Sequence, residues 1–117
     1  MKTLILAAMV TLGAQGALAE GVVGHYHVNG TNLDGSPYEG EAQITATSDV
    51  TCEIVWNTGG TTSSGICMRE GNALTAGYEL NGKIGLVIYL IQKDGTLEGT
   101  WTLAGVNAVG TENLTPD

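Results

Sequence analysis

Positive charge is scarce in this sequence of 117 residues, where 4 lysines and arginines face 12 aspartates and glutamates for a net charge of −8. With no basic cluster, the surface repels phosphate backbones and anionic lipid, which excludes nucleic acid as a partner. Helical periodicity is equally lacking. Past residue 20, threonine, valine, isoleucine and glycine dominate, and no window keeps a 3.6-residue apolar repeat over three turns. No stretch approaches the roughly 20 apolar residues of a membrane-spanning helix. A Gly-x-Ser-x-Gly elbow, a phosphate loop and a paired-carboxylate motif are all missing, and the carboxylates read as scattered over outward strand faces. Neither catalysis nor a cofactor is therefore expected. Only two cysteines occur, in no CxxC pattern and with no histidine beside either, which weighs against a metal or redox pair.

What is present begins with an export signal. Lys2 supplies a positive start, Leu4 to Leu12 a short apolar run, and Ala17-Leu18-Ala19 a small-residue cleavage site before Glu20. Residues 1–19 thus read as a signal peptide and 20–117 as one domain, placed in the periplasm or secreted. Without Lys2, three basic residues (Arg69, Lys83, Lys93) remain against twelve acidic ones, a net charge of −9. In an oxidising compartment Cys52 and Cys67 are expected to form a disulfide, and closing a loop of about 15 residues is worth roughly 3 kcal/mol in the chain-entropy model.

Alternation replaces helical periodicity. Tyr38, Gly40, Ala42, Ile44 and Ala46 face one way, while Glu39, Glu41, Gln43 and Thr45 face the other. Eight strands follow: Val22 to Val28, Tyr38 to Thr47, Val50 to Asn57, Ser63 to Arg69, Asn72 to Leu80, Lys83 to Gln92, Thr96 to Ala104, and Ala108 to Leu114. The breaks are turn pairs, Ser48-Asp49, Gly59-Gly60, Glu70-Gly71, Asn81-Gly82 and Asp94-Gly95, which implies an antiparallel meander.

Two registers can be read out. Folding about Gly59-Gly60 makes paired numbers sum to 119, so Cys52 lies opposite Cys67 with a Cα separation near 5 Å. A four-residue loop, Thr58 to Thr61, is favoured there because it would give the closer, non-hydrogen-bonded pair. Taking Lys93-Asp94-Gly95 as a three-residue loop sets Ile91 opposite Leu97, Tyr89 opposite Gly99 and Val87 opposite Trp101. An aromatic over a cross-strand glycine suits a tightly curved sheet. The fold expected is all-β, a small eight-stranded up-and-down barrel of lipocalin or avidin type with one disulfide, with a β-sandwich as the alternative. Charged and threonine-rich outward faces on the second and seventh strands argue against insertion into a membrane.

Four features are candidates for a site. The sixth strand is apolar on both faces, so Ile84, Leu86, Ile88 and Leu90 need a cover: a protein partner, a second copy, or the chain itself. His25 and His27 share a strand face at a spacing suited to zinc or copper, but two ligands are too few unless Glu41 or Glu112 completes the set, so no metal is assigned. The run from Gly30 to Glu41 places Asn32, Asp34, Gly35 and Glu41 as in a calcium loop, yet Gly30 holds the first ligand place and no helices flank it, which favours a glycine-rich turn. Finally, Tyr26, Tyr38, Trp56, Tyr78, Tyr89 and Trp101 would either line a ligand cavity or fill the barrel.

The runs GTNLDGSPYEG (30–40), TSDVTCEIVWNTGGTTSSGICMR (47–69), GLVIY (85–89), DGTLEGTWT (94–102) and GTENLTP (110–116) resemble a family of short exported bacterial proteins, some of them labelled fibronectin-binding protein. The resemblance spans Gly24 to Pro116 and implies an exported, non-catalytic binding protein. The expected partner is then a protein, such as a fibronectin-like matrix protein, or a second copy of the chain docked on the sixth strand. The alternative is a carrier of a small apolar ligand inside the barrel.

Overall fold

The computed structural model describes residues 21–117, so the signal-peptide reading of 1–19 lies outside the described residues. Eight strands run in order: β1 (Gly24–Thr31), β2 (Pro37–Ala46), β3 (Thr51–Thr58), β4 (Thr61–Glu70), β5 (Ala73–Leu80), β6 (Lys83–Ile91), β7 (Leu97–Leu103) and β8 (Gly110–Pro116). Each pairs antiparallel with its neighbour in sequence, and β1 closes onto β8, giving an up-and-down barrel rather than a sandwich. The eight expected strands are all present, with shifted ends. β1 begins and finishes later than the sequence suggests, because Asn29, Gly30 and Thr31 are held between β2 and β8 instead of starting a loop.

Turn chemistry sets the registers. Gly59 and Gly60 both have positive φ, as do Asn81 and Gly82, the geometry that lets a two-residue hairpin follow the twist of its strands. Thr58 therefore pairs with Thr61, and the four-residue loop favoured from the sequence is corrected to a two-residue turn. Cys52 still lies opposite Cys67, disulfide-bonded, with Cα atoms 4.9 Å apart. The loops Asn32–Ser36 and Gln92–Thr96 are twins. In each an aspartate side chain (Asp34, Asp94) accepts the backbone N–H two residues on at 2.9 Å, and a glycine (Gly35, Gly95) takes positive φ. The second twin produces the expected pairs Ile91 with Leu97, Tyr89 with Gly99 and Val87 with Trp101.

The interior has two halves. At the end carrying the β2–β3, β4–β5 and β6–β7 turns, aliphatic side chains fill the barrel, among them Val22, Ile44, Ile54, Leu74, Leu97 and Leu114, all about fully buried. Val22 precedes β1 and plugs this end, held by the Tyr26 hydroxyl, which donates to its carbonyl oxygen at 2.7 Å. Toward the other end the filling changes to aromatic rings, and four of them face a glycine across the sheet: Tyr38 on Gly30, Tyr78 on Gly85, Tyr89 on Gly99 and Trp101 on Gly110. A methyl group at Gly99 would sit 2.6 Å from Tyr89 Cδ1 and 2.8 Å from the Ile88 carbonyl oxygen, so the bare backbone is the ring's seat.

Candidate functional site: an aromatic mouth over a buried carboxylate

The aromatic half of the barrel does not close. Between the β1–β2, β3–β4 and β5–β6 turns the interior opens into a cavity of about 300 Å³. Its walls are Tyr38, Trp56, Tyr78 and Trp101, one from each of β2, β3, β5 and β7, with Ser63 on β4 and Glu112 on β8. Strand alternation puts each of these on the inner face, and the rings brace one another edge to face. The Tyr38 and Trp101 centroids are 6.4 Å apart with their planes at 73°, and those of Trp56 and Tyr78 are 5.2 Å apart at 62°.

Glu112 is the one charged side chain buried among the described residues, at 6 % exposure. Burying a carboxylate is costly unless its oxygens are satisfied, and three neutral donors do so here. The Tyr38 hydroxyl donates to Oε1 at 2.7 Å, Trp56 Nε1 donates to Oε2 at 2.8 Å, and the Tyr89 hydroxyl donates to the same Oε2. Trp56 Nε1 also reaches the Tyr89 hydroxyl oxygen at 3.1 Å, which ties the donors to one another. Burial raises the phenol pKa of Tyr38, Tyr78 and Tyr89, and the negative charge of Glu112 raises it further, so these hydroxyls stay protonated at neutral pH. Trp101 Nε1 is buried with no hydrogen-bond partner among the described residues.

Of the aromatic residues singled out in the sequence, Tyr38, Trp56, Tyr78 and Trp101 thus come together around the opening. Tyr89 is fully buried behind them, hydrogen-bonded to Glu112 and Trp56, and Tyr26 belongs to the plugged end. Glu112 corrects the expectation that the carboxylates lie on outward faces. The segment Thr111-Glu-Asn-Leu-Thr115 offers no apolar alternation, but counting back in twos from buried Leu114 puts Glu112 and Gly110 inside.

The remaining candidates lie elsewhere. His25 and His27 stand on the outer face of β1, where His27 Nε2 approaches Glu39 Oε1 at 3.3 Å. β1 does lie between β2 and β8, but Glu112 points inward, and no group of three potential metal ligands forms among the described residues. In the calcium-like run, Asn32 to Ser36 closes as a tight turn on its own hydrogen bonds, while Glu41 sits within β2 opposite His27. Ile84, Leu86, Ile88 and Leu90 face outward, 65 %, 61 %, 46 % and 50 % exposed, with Ile66 and Met68 continuing the patch on β4. Between these strands Gly77 leaves a trough that forms part of a second, external concavity of about 690 Å³.

No protein-family profile and no curated protein matches the chain. Among solved structures it is similar to a fluorescence-activating β-barrel designed de novo, with a TM-score of 0.69, 11 % identity, and coverage of 86 % of this chain and 98 % of that one. It is also similar to EF1p2_mFAP2b bound to DFHBI, with a TM-score of 0.66, 16 % identity, and coverage of 88 % and 99 %. The fluorescent protein UnaG matches with a TM-score of 0.56, 13 % identity, and coverage of 85 % and 99 %. At these identities the likeness is one of fold.

Proposed function

We propose that the protein is a non-catalytic binding barrel that holds a small, largely apolar ligand in the open half of its interior. The observation that carries this reading is the asymmetry of the core. One half is packed with aliphatic side chains, and the other leaves about 300 Å³ walled by braced aromatic rings. Such a volume is at the small end of ligand pockets and suits a compound of one or two rings. Similar barrels bear names that speak of fluorescence activation or of a bound DFHBI, which supports a binding role for this architecture. An exported location fits the disulfide and the apolar start of the sequence.

Native mass spectrometry of freshly purified protein tests the reading, together with ligand titrations followed by fluorescence. Both tryptophans of the chain line the cavity, so a bound ligand changes the whole tryptophan signal. The expected result is a co-purifying mass, or quenching that saturates and is lost in Ser63→Phe, which fills the opening. An empty monomer that responds to no member of a chemically varied ligand set overturns the reading.

A second reading rests on the exposed apolar patch of β4 and β6: two copies of the chain packed face to face through Leu86 and Ile88. Sedimentation across a concentration series decides it. A dimer that Leu86→Lys dissociates without loss of fold supports the interface, and a monomer at every concentration sinks it.

A further inference from the structure

We infer that the mouth cavity selects a small organic cation, a protonated amine on an apolar body of one or two rings, with its N–H donors on Glu112 and its body among the aromatic walls. This deepens the reading of the cavity as a ligand site and rests on it.

Four observations converge on a cation. First, the carboxylate lines the cavity, and no counter-charge pairs with it among the described residues. Among the described residues its partners are two phenols and an indole, and neither lysine, arginine nor histidine pairs with it. Neutral donors satisfy its oxygens but leave its negative charge uncancelled in a largely apolar surround, where an ammonium ion would be held more strongly than in water. Second, acceptor capacity remains. A carboxylate offers about four lone-pair sites. Among the described residues Oε2 takes two side-chain donors but Oε1 only the Tyr38 hydroxyl, which leaves room for an N–H from the cavity side.

Third, the walls are rings. Aromatic faces carry negative charge at their centres and attract cations, whereas they give an anion nothing. Tyr38, Trp56, Tyr78 and Trp101 place four such rings around one small space. Fourth, the whole molecule is acidic. A net charge of −8 raises the local concentration of cations and keeps anions away, and Asp34 adds a carboxylate to the β1–β2 turn beside the opening.

The test compares three ligands with the same ring and different charge: phenethylamine, 2-phenylethanol and 3-phenylpropionate. Each is titrated into the whole protein at neutral pH, excited at a wavelength where only tryptophan absorbs. The amine is expected to bind about tenfold tighter than the alcohol, and the anion weakest of the three. In Glu112→Gln that preference should shrink to within about threefold, with near-ultraviolet circular dichroism and a melt confirming the fold. Should the variant fail to fold, the wild-type ranking alone decides. Equal binding of amine and alcohol overturns the cation while leaving a ligand cavity intact. Tighter binding of the anion, or no binding of the amine, also overturns it; the mass and titration experiments above then judge the cavity separately.

Discussion

Replacing Gly99 with alanine adds one methyl group where the Tyr89 ring lies against bare backbone. The new carbon would lie 2.6 Å from Tyr89 Cδ1 and 2.8 Å from the Ile88 carbonyl oxygen, where unstrained carbon contacts run about 3.5–4.0 Å. Tyr89 cannot swing aside, because its ring is fully buried and its hydroxyl is fixed by Glu112 and Trp56. Overpacking of this kind costs about 1–3 kcal/mol, against which the stiffer unfolded chain returns about 0.4–1 kcal/mol. The net loss is about 1–2 kcal/mol, a drop in melting temperature of about 10 °C for a domain of this size. Gly77 is the matched control, on the outer face of β5, where a methyl group would meet only Leu86 Cδ2 at 3.9 Å. Gly77→Ala should therefore be neutral or raise the melting temperature by about 3 °C. Thermal melts by circular dichroism read both variants against the wild type. If Gly99→Ala melts at or above Gly77→Ala, glycine is not acting as the seat of Tyr89, and the account of how the rings are placed is wrong.

Three further outcomes are expected. Replacing Cys52 and Cys67 with alanine removes the bridge between β3 and β4 and should cost roughly 3 kcal/mol in denaturant titration, with the reduced wild type behaving alike. Glu112→Ala strands the Tyr38, Tyr89 and Trp56 donors in the core and should destabilise by about 3–5 kcal/mol, which urea melts would show; a loss below about 1 kcal/mol would mean that the network is dispensable. All four tyrosines have raised pKa values, Tyr89 chiefly by burial. A folded pKa above the unfolded one adds stability that is fully present below about pH 10 and is lost as pH rises beyond it. Phenolate absorbance near 295 nm should accordingly stay absent until it rises together with cooperative alkaline unfolding, and a separate early titration of Tyr89 would contradict its burial.

The sequence carried the barrel because its turns are chemically explicit. Asn81-Gly82, Gly59-Gly60 and Lys93-Asp94-Gly95 each permit few backbone geometries, and from them the pairings of Cys52 with Cys67 and of Tyr89 with Gly99 follow by counting. The two ends of β1 are harder to read: Val22 and Val23 are strand formers that nevertheless precede the strand, whereas Asn29 to Thr31 are ordinary loop formers that become strand only through neighbours distant in the chain. The site was half legible. Aromatic residues announce themselves, but whether they fill or line an interior depends on how much volume the opposing strands supply. Glu112 was hidden for a different reason. Polarity contrast is what betrays an inward residue, and β8 has polar side chains on both faces over Thr111 to Asn113. Had the register been carried from Leu97 opposite Leu114 through Gly99 opposite Glu112, the carboxylate would have appeared inside.

The plug at Val22 gives the molecule a direction. β1 leaves that end and β8 returns to it, so Tyr26 stands opposite Pro116, and the Asp117 N–H reaches the His25 carbonyl at 3.1 Å. Both ends of the folded segment therefore emerge from the same pole, facing away from the aromatic opening. A tether, resin or fused domain attached at either end of this folded segment would hold the barrel with its opening turned outward, an arrangement suited to immobilised capture of ligand from solution.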